Sequence, residues 1–492
     1  MLEMRARILI GLSGVLTGFT GCITDSGSLE DSISLRWNVP SAWHSGPSVP
    51  VEPRLASLGG EDLQALIRRA YENNFDLQQA RIRVEQAQLQ TTIAGAAKRP
   101  TLQGAVDASR SERRRGLVDG VMTTESEDYG LSLSASWELD LWGKLGSRTR
   151  AAIANRDAVQ AQYDSARLSL AGQVAKSWFN VIEAEMQRKI ARDALQTFEN
   201  NQDLMRDRFN LGMNTALDVQ LSRANTAGAQ RLLSANKQQR DALIRALEVL
   251  LGTYPENTLS TPTVLPETLD PIPSGMPSEL LKRRPDVRAV EQRVRAAAFT
   301  QDEKEKDRWP SIRLTGRAGT SSDELSSIAD WDFRFSNLAA GLTQPIFEAG
   351  RLKAVSERAA LETERVKLDY QKIALQAFRE VEQALANEVY LREQVEATAA
   401  AVKEYQEAEE LARANYSKGL TNILTVLDAQ RRYYQNQQTL VQLKNQRIQN
   451  RVDLIIALGG HLEADETDIP DTDKEEDDTS PAQEFRLKVM TP

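Results

Sequence analysis

Two very long segments without proline constrain this fold more than any other feature of the sequence. They are Leu145–Leu211 and Leu352–Lys418, each 67 residues long, and the second also lacks glycine. A continuous helix of that length measures about 100 Å at 1.5 Å per residue. Helices so long cannot fold back into a compact globule, so they are expected to form a rod or the wall of a tube.

A repeated glycine turn predicts how these long helices reverse direction. Gly212, within FNLGMNTALDVQLSR, and Gly419, within YSKGLTNILTVLDAQR, lie 207 residues apart. A glycine after one helical run, followed by Thr or Asn before the next, predicts a tight helical hairpin. The returning helices, expected at Thr215–Leu251 and Thr421–Leu458, each end in a Leu-Gly pair at the same 207-residue offset. The chain is therefore predicted to be duplicated, with one helical hairpin in each half.

In the first half, a pattern with a period of two residues predicts a β-hairpin. Apolar and polar residues alternate strictly in Tyr129–Leu141, YGLSLSASWELDL, and more weakly in Thr101–Ala108. Such alternation is typical of strands with one buried face. The polar stretch Ser111–Asp128 is expected to be the loop between them.

The second half repeats this pattern with one irregularity. Ile312–Ala318 and Trp331–Leu342 alternate, and a polar loop is expected between them at Thr320–Asp330. The apolar phase changes near Ser336–Asn337, which predicts a β-bulge there.

The predicted strands are long enough to cross a membrane, which requires about 9–11 residues in a β-strand. Aromatic residues lie near their ends, with Trp142 and Trp309 at one rim and Tyr129 and Trp331 at the other. This arrangement is expected for residues at the two membrane interfaces. Four strands cannot close a barrel, and open edges are excluded from lipid because their backbone groups would stay unsatisfied. Several chains would have to share one barrel, two giving eight strands and three giving twelve. The pattern alone also allows soluble hairpins packed on helices.

The N-terminal segment 1–21 is predicted to be a signal peptide. A short basic start precedes an apolar run that is too short for a membrane-spanning helix but suits a secretory signal. Cys22, the one cysteine of the chain, directly follows, and the small residues before it resemble a bacterial lipoprotein signal. Cys22 is therefore the expected lipid-attachment site; the alternative is an ordinary signal peptide with an incidental cysteine.

Periodicity and composition predict the remaining segments. Two shorter helices are expected at Glu61–Lys98 and Pro277–Arg308, ahead of the long ones. A proline-rich linker separates the halves, and an acidic run typical of a solvated tail ends the chain. The predicted order is an extended leader at 22–60, a first repeat at 61–252, the linker at 253–275, a second repeat at 276–460 and the tail at 461–492.

Composition also argues against several classes of protein. The mean hydropathy of −0.46 excludes a polytopic helical membrane protein, and the formal net charge of −9 argues against nucleic-acid binding. The two histidines, His44 and His461, lie near opposite ends of the chain, so they support neither a metal site nor an activated nucleophile. No catalytic constellation is evident, and we expect neither an enzyme nor a bound cofactor.

Several motifs together resemble those of the TolC-like outer-membrane efflux proteins, and the lipoprotein-like start resembles their OprM/NodT subgroup. The matching motifs are RPDVR at 284–288, QPIF at 344–347, Gly350-Arg351, the segment Tyr416–Arg431 and ALGG at 457–460. The resemblance covers about residues 55–460. It implies a mixed, mainly α fold, in which a long α-helical tunnel, or α-barrel, continues into a transmembrane β-barrel shared by three chains.

The implied function is an exit duct in the outer membrane of a Gram-negative cell, for drugs or other small molecules. The implied partners are two further copies in a homotrimer, outer-membrane lipid, a periplasmic adaptor (membrane fusion) protein and an inner-membrane pump of the resistance–nodulation–division class. The implied localisation is the outer membrane, with a lipid anchor and a long periplasmic extension. The alternative function is a structural coiled-coil outer-membrane lipoprotein without an open channel.

The resemblance also assigns roles to the helical turns, at the tunnel end farthest from the membrane. Leu424 and Asp428 are implied to line the closed periplasmic entrance, with Arg431 nearby and Tyr416 linked to closure. Leu424 and Asp428 share one helix face because they are four residues apart, although by spacing alone Asp428 is equally a solvated surface acid. Three Asp428 carboxylates around one axis would repel each other and attract cations, so Arg431 and Tyr416 are expected to hold the helices inward. The residues implied to contact the adaptor are Leu211, Gly212, Met213, Gly419 and Leu420.

Overall fold

The structure is a computed structural model, and it describes residues 37–46, 56–117, 120–266, 275 and 277–460. The predicted signal peptide, Cys22 and the acidic tail at 461–492 lie outside the described residues.

Two short helices, a strand pair, a long helix and a returning helix follow each other in the first half, and the second half repeats this order. The first half contains α1 (Ala56–Asn73), α2 (Phe75–Ala96), β1 (Thr101–Leu117), β2 (Gly120–Leu139), α3 (Lys144–Asn210) and α4 (Ala216–Leu250). The second half contains α5 (Pro277–Arg283), α6 (Pro285–Lys306), β3 (Ser311–Ser322), β4 (Arg334–Thr343), α7 (Arg351–Ser417) and α8 (Ile423–Ala457). The long helices α3 and α7 each have 67 residues, and the returning helices α4 and α8 each have 35. Within the described part of the chain, no helix combines the length and the apolar character that crossing a membrane would require.

Each long helix ends in a left-handed glycine turn. Gly212 and Gly419 have φ angles of 73° and 72°, in a region that residues with a Cβ rarely adopt. In the second turn, the N–H of Leu420 donates to the carbonyl of Asn415 at 2.9 Å, and the N–H of Gly419 donates to that of Tyr416 at 3.0 Å. This pair of bonds is the Schellman cap, and it lets the chain reverse within a few residues.

The returning helices begin behind side-chain caps. Thr215 accepts a hydrogen bond from the backbone N–H of Asp218, whose carboxylate accepts in return from the backbone N–H of Thr215. In the second hairpin Asn422 caps the N–H of Thr425. Thr421, the expected first residue of α8, lies in the turn before this cap. Either cap satisfies backbone donors that the first helical turn leaves unpaired.

The two shorter helices were expected to be continuous at Glu61–Lys98 and Pro277–Arg308, and this prediction was wrong because each is broken. The first break lies at Asn74, whose extended backbone and side-chain bond to the N–H of Leu77 begin a new helix. The second lies at Arg284, because the following proline disfavours a helical backbone in the residue before it.

The two breaks have equivalent roles in the two halves. The Asn74 side chain donates to the carbonyl of Leu250 at 3.0 Å, and the Arg284 side chain donates to that of Ala457 at 3.2 Å. Leu250 and Ala457 are the last residues of α4 and α8 and lie 207 residues apart. The duplicated sequence therefore produces the same tertiary contact in each half.

The largest buried cluster lies where α3 packs against α1, α4 and α8. Small residues allow this close approach, as at Gly172, where an added Cβ would lie only 2.0 Å from Ile456 Cδ1. The fully buried members with the largest side chains are Leu63, Phe179, Ile182, Ile244, Leu247, Leu251 and Ile448. A second cluster joins α5 and α6 to α7 and the end of α8.

Part of the expected leader packs on this second cluster. Trp43 is buried there, and its indole N–H donates to the carbonyl of Gly275 at 3.0 Å. The backbone N–H groups of His44 and Ser45 donate to the two carboxylate oxygens of Glu382, at 2.8 and 2.9 Å. Burial raises the pKa of Glu382, but these hydrogen bonds outweigh burial and leave it below its ordinary value. Residues 37–46 are thus fixed on α7, which the sequence did not indicate.

The four strands form one antiparallel sheet in the order β1-β2-β3-β4. Residues paired across neighbouring strands lie on the same face, so the register determines the composition of each face. One row of partners, Leu102, Ala135, Gly316 and Leu338, crosses all four strands. The next row carries polar side chains on the opposite face: Gln103, Ser134, Arg317 and Asn337. The predicted alternation therefore builds one apolar and one polar face.

The polar loop expected at Ser111–Asp128 is wrong. β1 and β2 remain paired up to Leu117 opposite Gly120. This outer part of the hairpin lies beyond the other strands, so both of its faces are exposed and no apolar alternation marks it.

The bulge expected near Ser336–Asn337 is also wrong, because β3 and β4 pair without interruption. The apolar phase changes because Trp331–Phe333 form a 3-10 turn before β4, and Phe335 lies on the polar face. There the Arg317 guanidinium lies 5.5 Å from the Phe335 ring centroid. The loop expected at Thr320–Asp330 accordingly begins three residues later, after β3, and extends to Phe333.

Candidate functional site at the helical turns

The two helical turns lie side by side at one end of the molecule and expose apolar side chains. Leu211, Met213 and Leu420 are 75%, 67% and 72% exposed. Gly212 and Gly419 provide the left-handed backbone between the helices, and nothing lies within 4 Å of the position that a Cβ would take at either glycine. The turns therefore present an open apolar surface, which on a soluble face is typical of a protein-binding site.

Asp428 forms a compact charged group on α8. Its carboxylate accepts hydrogen bonds from Arg431 at 2.5 Å and from Arg432 at 2.7 Å. The Arg432 and Arg431 guanidinium groups lower the pKa of Asp428, so this carboxylate is ionised at neutral pH. Leu424, one helical turn away, is 49% exposed. Arg432 was not identified from the sequence, although its spacing of four residues from Asp428 could have indicated an ion pair.

The structure does not bring Tyr416 together with this group. Tyr416 is buried between the two hairpins, with its hydroxyl 3.4 Å from the sulfur of Met205 and also 3.4 Å from the Asn214 amide nitrogen. The Arg208 guanidinium lies 4.6 Å from the ring centroid. Tyr416 therefore joins α7 to the α3–α4 hairpin, whereas the ion pair of Arg431 stays within its own helix. That both residues hold the helices inward stays a prediction; within the described chain, Tyr416 contacts the other hairpin, whereas Arg431 pairs with Asp428 of its own helix.

A buried polar network lies just behind the turns and connects three helices. The Asn201 amide of α3 donates to Gln430 of α8 at 2.7 Å, and Gln430 donates to Glu409 of α7 at 2.9 Å. Glu409 also forms an ion pair with Arg413, and its side chain is only 7% exposed. A buried polar network with its partners in place fixes the packing of the helices that share it. These residues are far apart in sequence, so no sequence pattern indicates the network.

The charged group belongs to the second hairpin alone. At the 207-residue offset, Asp428 and Arg431 correspond to Leu221 and Ala224. The two turns thus share their backbone geometry but differ in charge. Duplicated backbone with unequal side chains indicates that the two hairpins have separate roles at this end.

The four aromatic residues expected at the membrane interfaces lie at two levels of the sheet, and their place in a membrane stays a prediction. The rings of Trp142 and Trp309 lie 5.3 Å apart at the junction with the helices, and the Trp142 indole N–H donates to the Pro310 carbonyl at 2.6 Å. At the other end, Tyr129 pairs with the last residue of β3, and Trp331, in the following loop, is 71% exposed.

The fold of the chain and its similarity to known proteins define the class of protein to which it belongs. The model of the outer membrane efflux protein family matches residues 66–253 and 276–460. The pyoverdine export outer membrane protein OpmQ of Pseudomonas putida is 33% identical over 436 residues, which cover 87% of this chain and 92% of that relative. Outer membrane protein OprJ of Pseudomonas aeruginosa is 31% identical, over 86% of this chain and 89% of its own length.

A solved structure of CusC is similar as well. It superposes with a TM-score of 0.78 at 27% identity, covering 86% of this chain and 99% of the CusC chain. The helical tunnel and β-strands of such channels are thus the architecture of this chain. The chain belongs to the outer membrane efflux protein family. Its function is that of an outer-membrane exit duct of an efflux system, as the resemblance implied.

Proposed function

We propose that three copies of this chain form the duct, with a twelve-stranded barrel in the outer membrane and a helical tunnel in the periplasm. The observation that supports this most directly is the sheet. Its four strands share one apolar face, and the outer edges of β1 and β4 have no partner strand within the described chain. Unpaired backbone edges are not tolerated in lipid, and pairing β4 of one chain with β1 of the next removes every edge.

The mass of the purified protein in mild detergent tests the stoichiometry. Native mass spectrometry should give three chains per particle, and conductance in a planar bilayer should show an open duct. A stable monomer or dimer that retains its β-structure would contradict the trimer. A trimer that conducts no ions would instead favour a structural lipoprotein without a channel.

The helical turns are proposed to dock a periplasmic adaptor protein, which connects the duct to an inner-membrane pump of the resistance–nodulation–division class. The exposed Leu211, Met213 and Leu420 supply the apolar surface for this contact. Replacing all three by Ser should abolish pump-dependent resistance while the trimer persists. The matched control is Leu361→Ser on α7, an apolar residue of the same 72% exposure as Leu420 but far from the turns. Full resistance in the triple variant would contradict this role.

The group formed by Leu424, Asp428 and Arg431 is proposed to line the periplasmic aperture. In a trimer, three copies of α8 would bring three such groups around the axis. Asp428 and its two arginines carry a net charge of +1 per chain. The Asp428 carboxylate therefore reduces the positive electrostatic potential by which the two arginines would favour anions. Its second effect is to hold both guanidinium groups against α8. Leu424 would add an apolar constriction one turn along.

Cys22 is proposed to be the mature N-terminus and to carry acyl chains in the outer membrane. The position of Trp43 is compatible with a lipid anchor at Cys22. The 21 residues from Cys22 to Trp43 can extend about 70 Å at most, whereas α7 from its start to Leu385, beside Gly46, covers about 50 Å. The anchor can therefore reach the level of the barrel. Mass spectrometry of the mature N-terminal peptide should show an acylated Cys22; an unmodified cysteine or another cleavage site would refute the anchor.

The exported compounds are proposed to be small molecules selected by the pump. Among relatives, OpmQ is named for pyoverdine export and CusC for cation efflux, so one duct architecture serves chemically different cargo. Growth inhibition by a panel of dyes, detergents and antibiotics should change when this chain is deleted together with its pump, and to the same extent when only the chain is deleted.

A further inference from the structure

The outer end of the β1–β2 hairpin projects beyond the rest of the sheet. β3 ends at Ser322, opposite Tyr129, whereas β2 begins at Gly120 and pairs with β1 from there to Ser136. The nine residues from Gly120 to Asp128 add about 30 Å at 3.3 Å per residue. The strands below them already provide the length that a membrane requires, about 9–11 residues. The projecting part therefore lies outside the bilayer, on the side away from the helices.

On the polar face of the sheet, the charged side chains below this projection have partners. Arg317 pairs with Asp107 at 3.3 Å, and Arg313 pairs with Glu138 at 3.3 Å. Asp128, at the base of the projection, accepts a hydrogen bond from Ser321 at 2.6 Å. In a closed barrel the polar face is the inner one. The two ion pairs therefore neutralise the part of the inner wall between the projection and the helices.

Two arginines continue the same face in the projection. β1 alternates without a bulge from Asp107 to Arg113 and Arg115, which lie opposite Thr124 and Met122. Both guanidinium groups belong to exposed residues, and neither forms an ion pair with any described residue. Asp128 lies four residues beyond Thr124 on β2, about 13 Å along the strand, which exceeds the screening length of about 8 Å in physiological salt.

The opposite face of the projection differs sharply. There Arg110 pairs with Glu125 at 3.2 Å and with Glu127 at 3.4 Å, and Arg114 pairs with Glu112 at 2.6 Å. Among the described residues, the strand alternation thus divides four arginines of this hairpin into Arg110 and Arg114, which pair with carboxylates, and Arg113 and Arg115, which do not. Arg113 and Arg115 lie on the face that continues the inner wall of the duct.

We propose that Arg113 and Arg115 form an anion-binding site at the outer mouth of the duct. This proposal rests on the trimeric duct, in which three hairpins would place six guanidinium groups around one opening. The ligand class is a multivalent anion with phosphate or carboxylate groups, because a guanidinium donates two parallel hydrogen bonds to either group. The site would concentrate such anions at the outlet and make passage through it sensitive to charge.

Current block in a planar bilayer tests this site. The full-length protein is inserted from one compartment, and inositol hexakisphosphate is added to either side. We expect block from the strand side at lower concentration than from the helix side, weakening as salt is raised. Arg113→Gln/Arg115→Gln should raise the half-blocking concentration about tenfold, since exposed ion pairs are weak but two are lost per chain. The matched control, Arg110→Gln/Arg114→Gln, removes the same number of charges from the other face. It should change the half-blocking concentration about twofold or less.

The outcomes separate the site from the duct. A protein that conducts, but whose block is unchanged in Arg113→Gln/Arg115→Gln, upholds the duct and overturns the site. Equal weakening in both double variants also overturns it, because the effect would then follow total charge and not the inner face. If the protein conducts no current, the duct proposal fails, and calorimetric titration of the detergent-solubilised protein with inositol hexakisphosphate still tests the site. Binding that only Arg113→Gln/Arg115→Gln weakens supports it, and absence of binding overturns it.

Discussion

Tyr416 is the residue at which substitution should most directly loosen the two hairpins from each other. Its ring is 9% exposed and packs against Met205 beneath the Arg208 guanidinium. We predict that Tyr416→Ala weakens the packed arrangement of the turns and raises the open probability of the duct. The α7–α8 hairpin would then be free to move relative to the α3–α4 hairpin, a shift between two packings.

The size of the effect follows from the burial. Removing a buried aromatic side chain costs about 3–5 kcal/mol, and the contact with Arg208 contributes about 0.5–1 kcal/mol of this. If about 3 kcal/mol of this cost falls on the packed arrangement, the ratio of open to closed channels rises about a hundredfold. Tyr416→Phe keeps the ring and loses only two long contacts of the hydroxyl, so its cost should be about 1 kcal/mol or less.

Single-channel recording in a planar bilayer measures the open probability of each variant. The matched control is Tyr390→Ala on the same helix, because that ring is 62% exposed and its removal should have little effect. A double-mutant cycle of Tyr416→Ala with Arg208→Ala should show coupling of about 0.5–1 kcal/mol. Tyr416 has no role in closure if Tyr416→Ala lowers the melting temperature but leaves the open probability equal to that of the control.

Three further predictions concern charge and packing. Asp428→Ala should shift ion selectivity towards anions in reversal-potential measurements, because each chain loses one carboxylate and keeps two arginines; unchanged selectivity would mean that the aperture lies elsewhere. Arg284→Gln should destabilise the fold by about 1–3 kcal/mol, since it removes a buried guanidinium group from its ion pair with the partly exposed Asp286 at 2.7 Å. Burial raises the pKa of Asp286, but the hydrogen bond and charge of Arg284 leave it below its ordinary value; stability from this pair is therefore present above about pH 4 and is lost as pH falls through the lowered pKa. Thermal melting at several pH values should show that dependence in the wild type and a flatter one in Arg284→Gln. Gly172→Ala should lower the melting temperature because the new methyl group would collide with α8, whereas Gly228→Ala, in open space on α4, should raise it slightly.

Periodicity predicted the helices and strands in which all residues of one face have the same kind of surroundings. The long helices follow from uninterrupted runs without proline, and their observed bounds, Lys144–Asn210 and Arg351–Ser417, differ from the prediction by one residue at each end. The strand faces follow from alternation because the sheet has one apolar side. The projecting part of the β1–β2 hairpin escaped prediction because no apolar surface covers either of its faces.

The candidate site was predictable only in part, for a related reason. Leu424, Asp428 and the glycine turns belong to local motifs, so the sequence alone contains their spacing. The contacts of Tyr416 with Met205 and Arg208 join residues more than 200 positions apart. Likewise, Asn201, Gln430 and Glu409 meet only because the two hairpins pack together. Such contacts depend on how duplicated units associate, which no local pattern encodes.

The open edges of the sheet also affect the chain before it is inserted and assembled. A newly secreted copy cannot enter the bilayer alone, because β1 and β4 would carry unpaired backbone groups into lipid. In the proposed trimer, its insertion must therefore wait for two others, and the rate of insertion should depend steeply on how many copies are present. During that delay each edge can accept any other extended strand, which is a known route to aggregation. A cell that makes this protein too quickly, or too slowly, should therefore accumulate unassembled chains for proteases to remove.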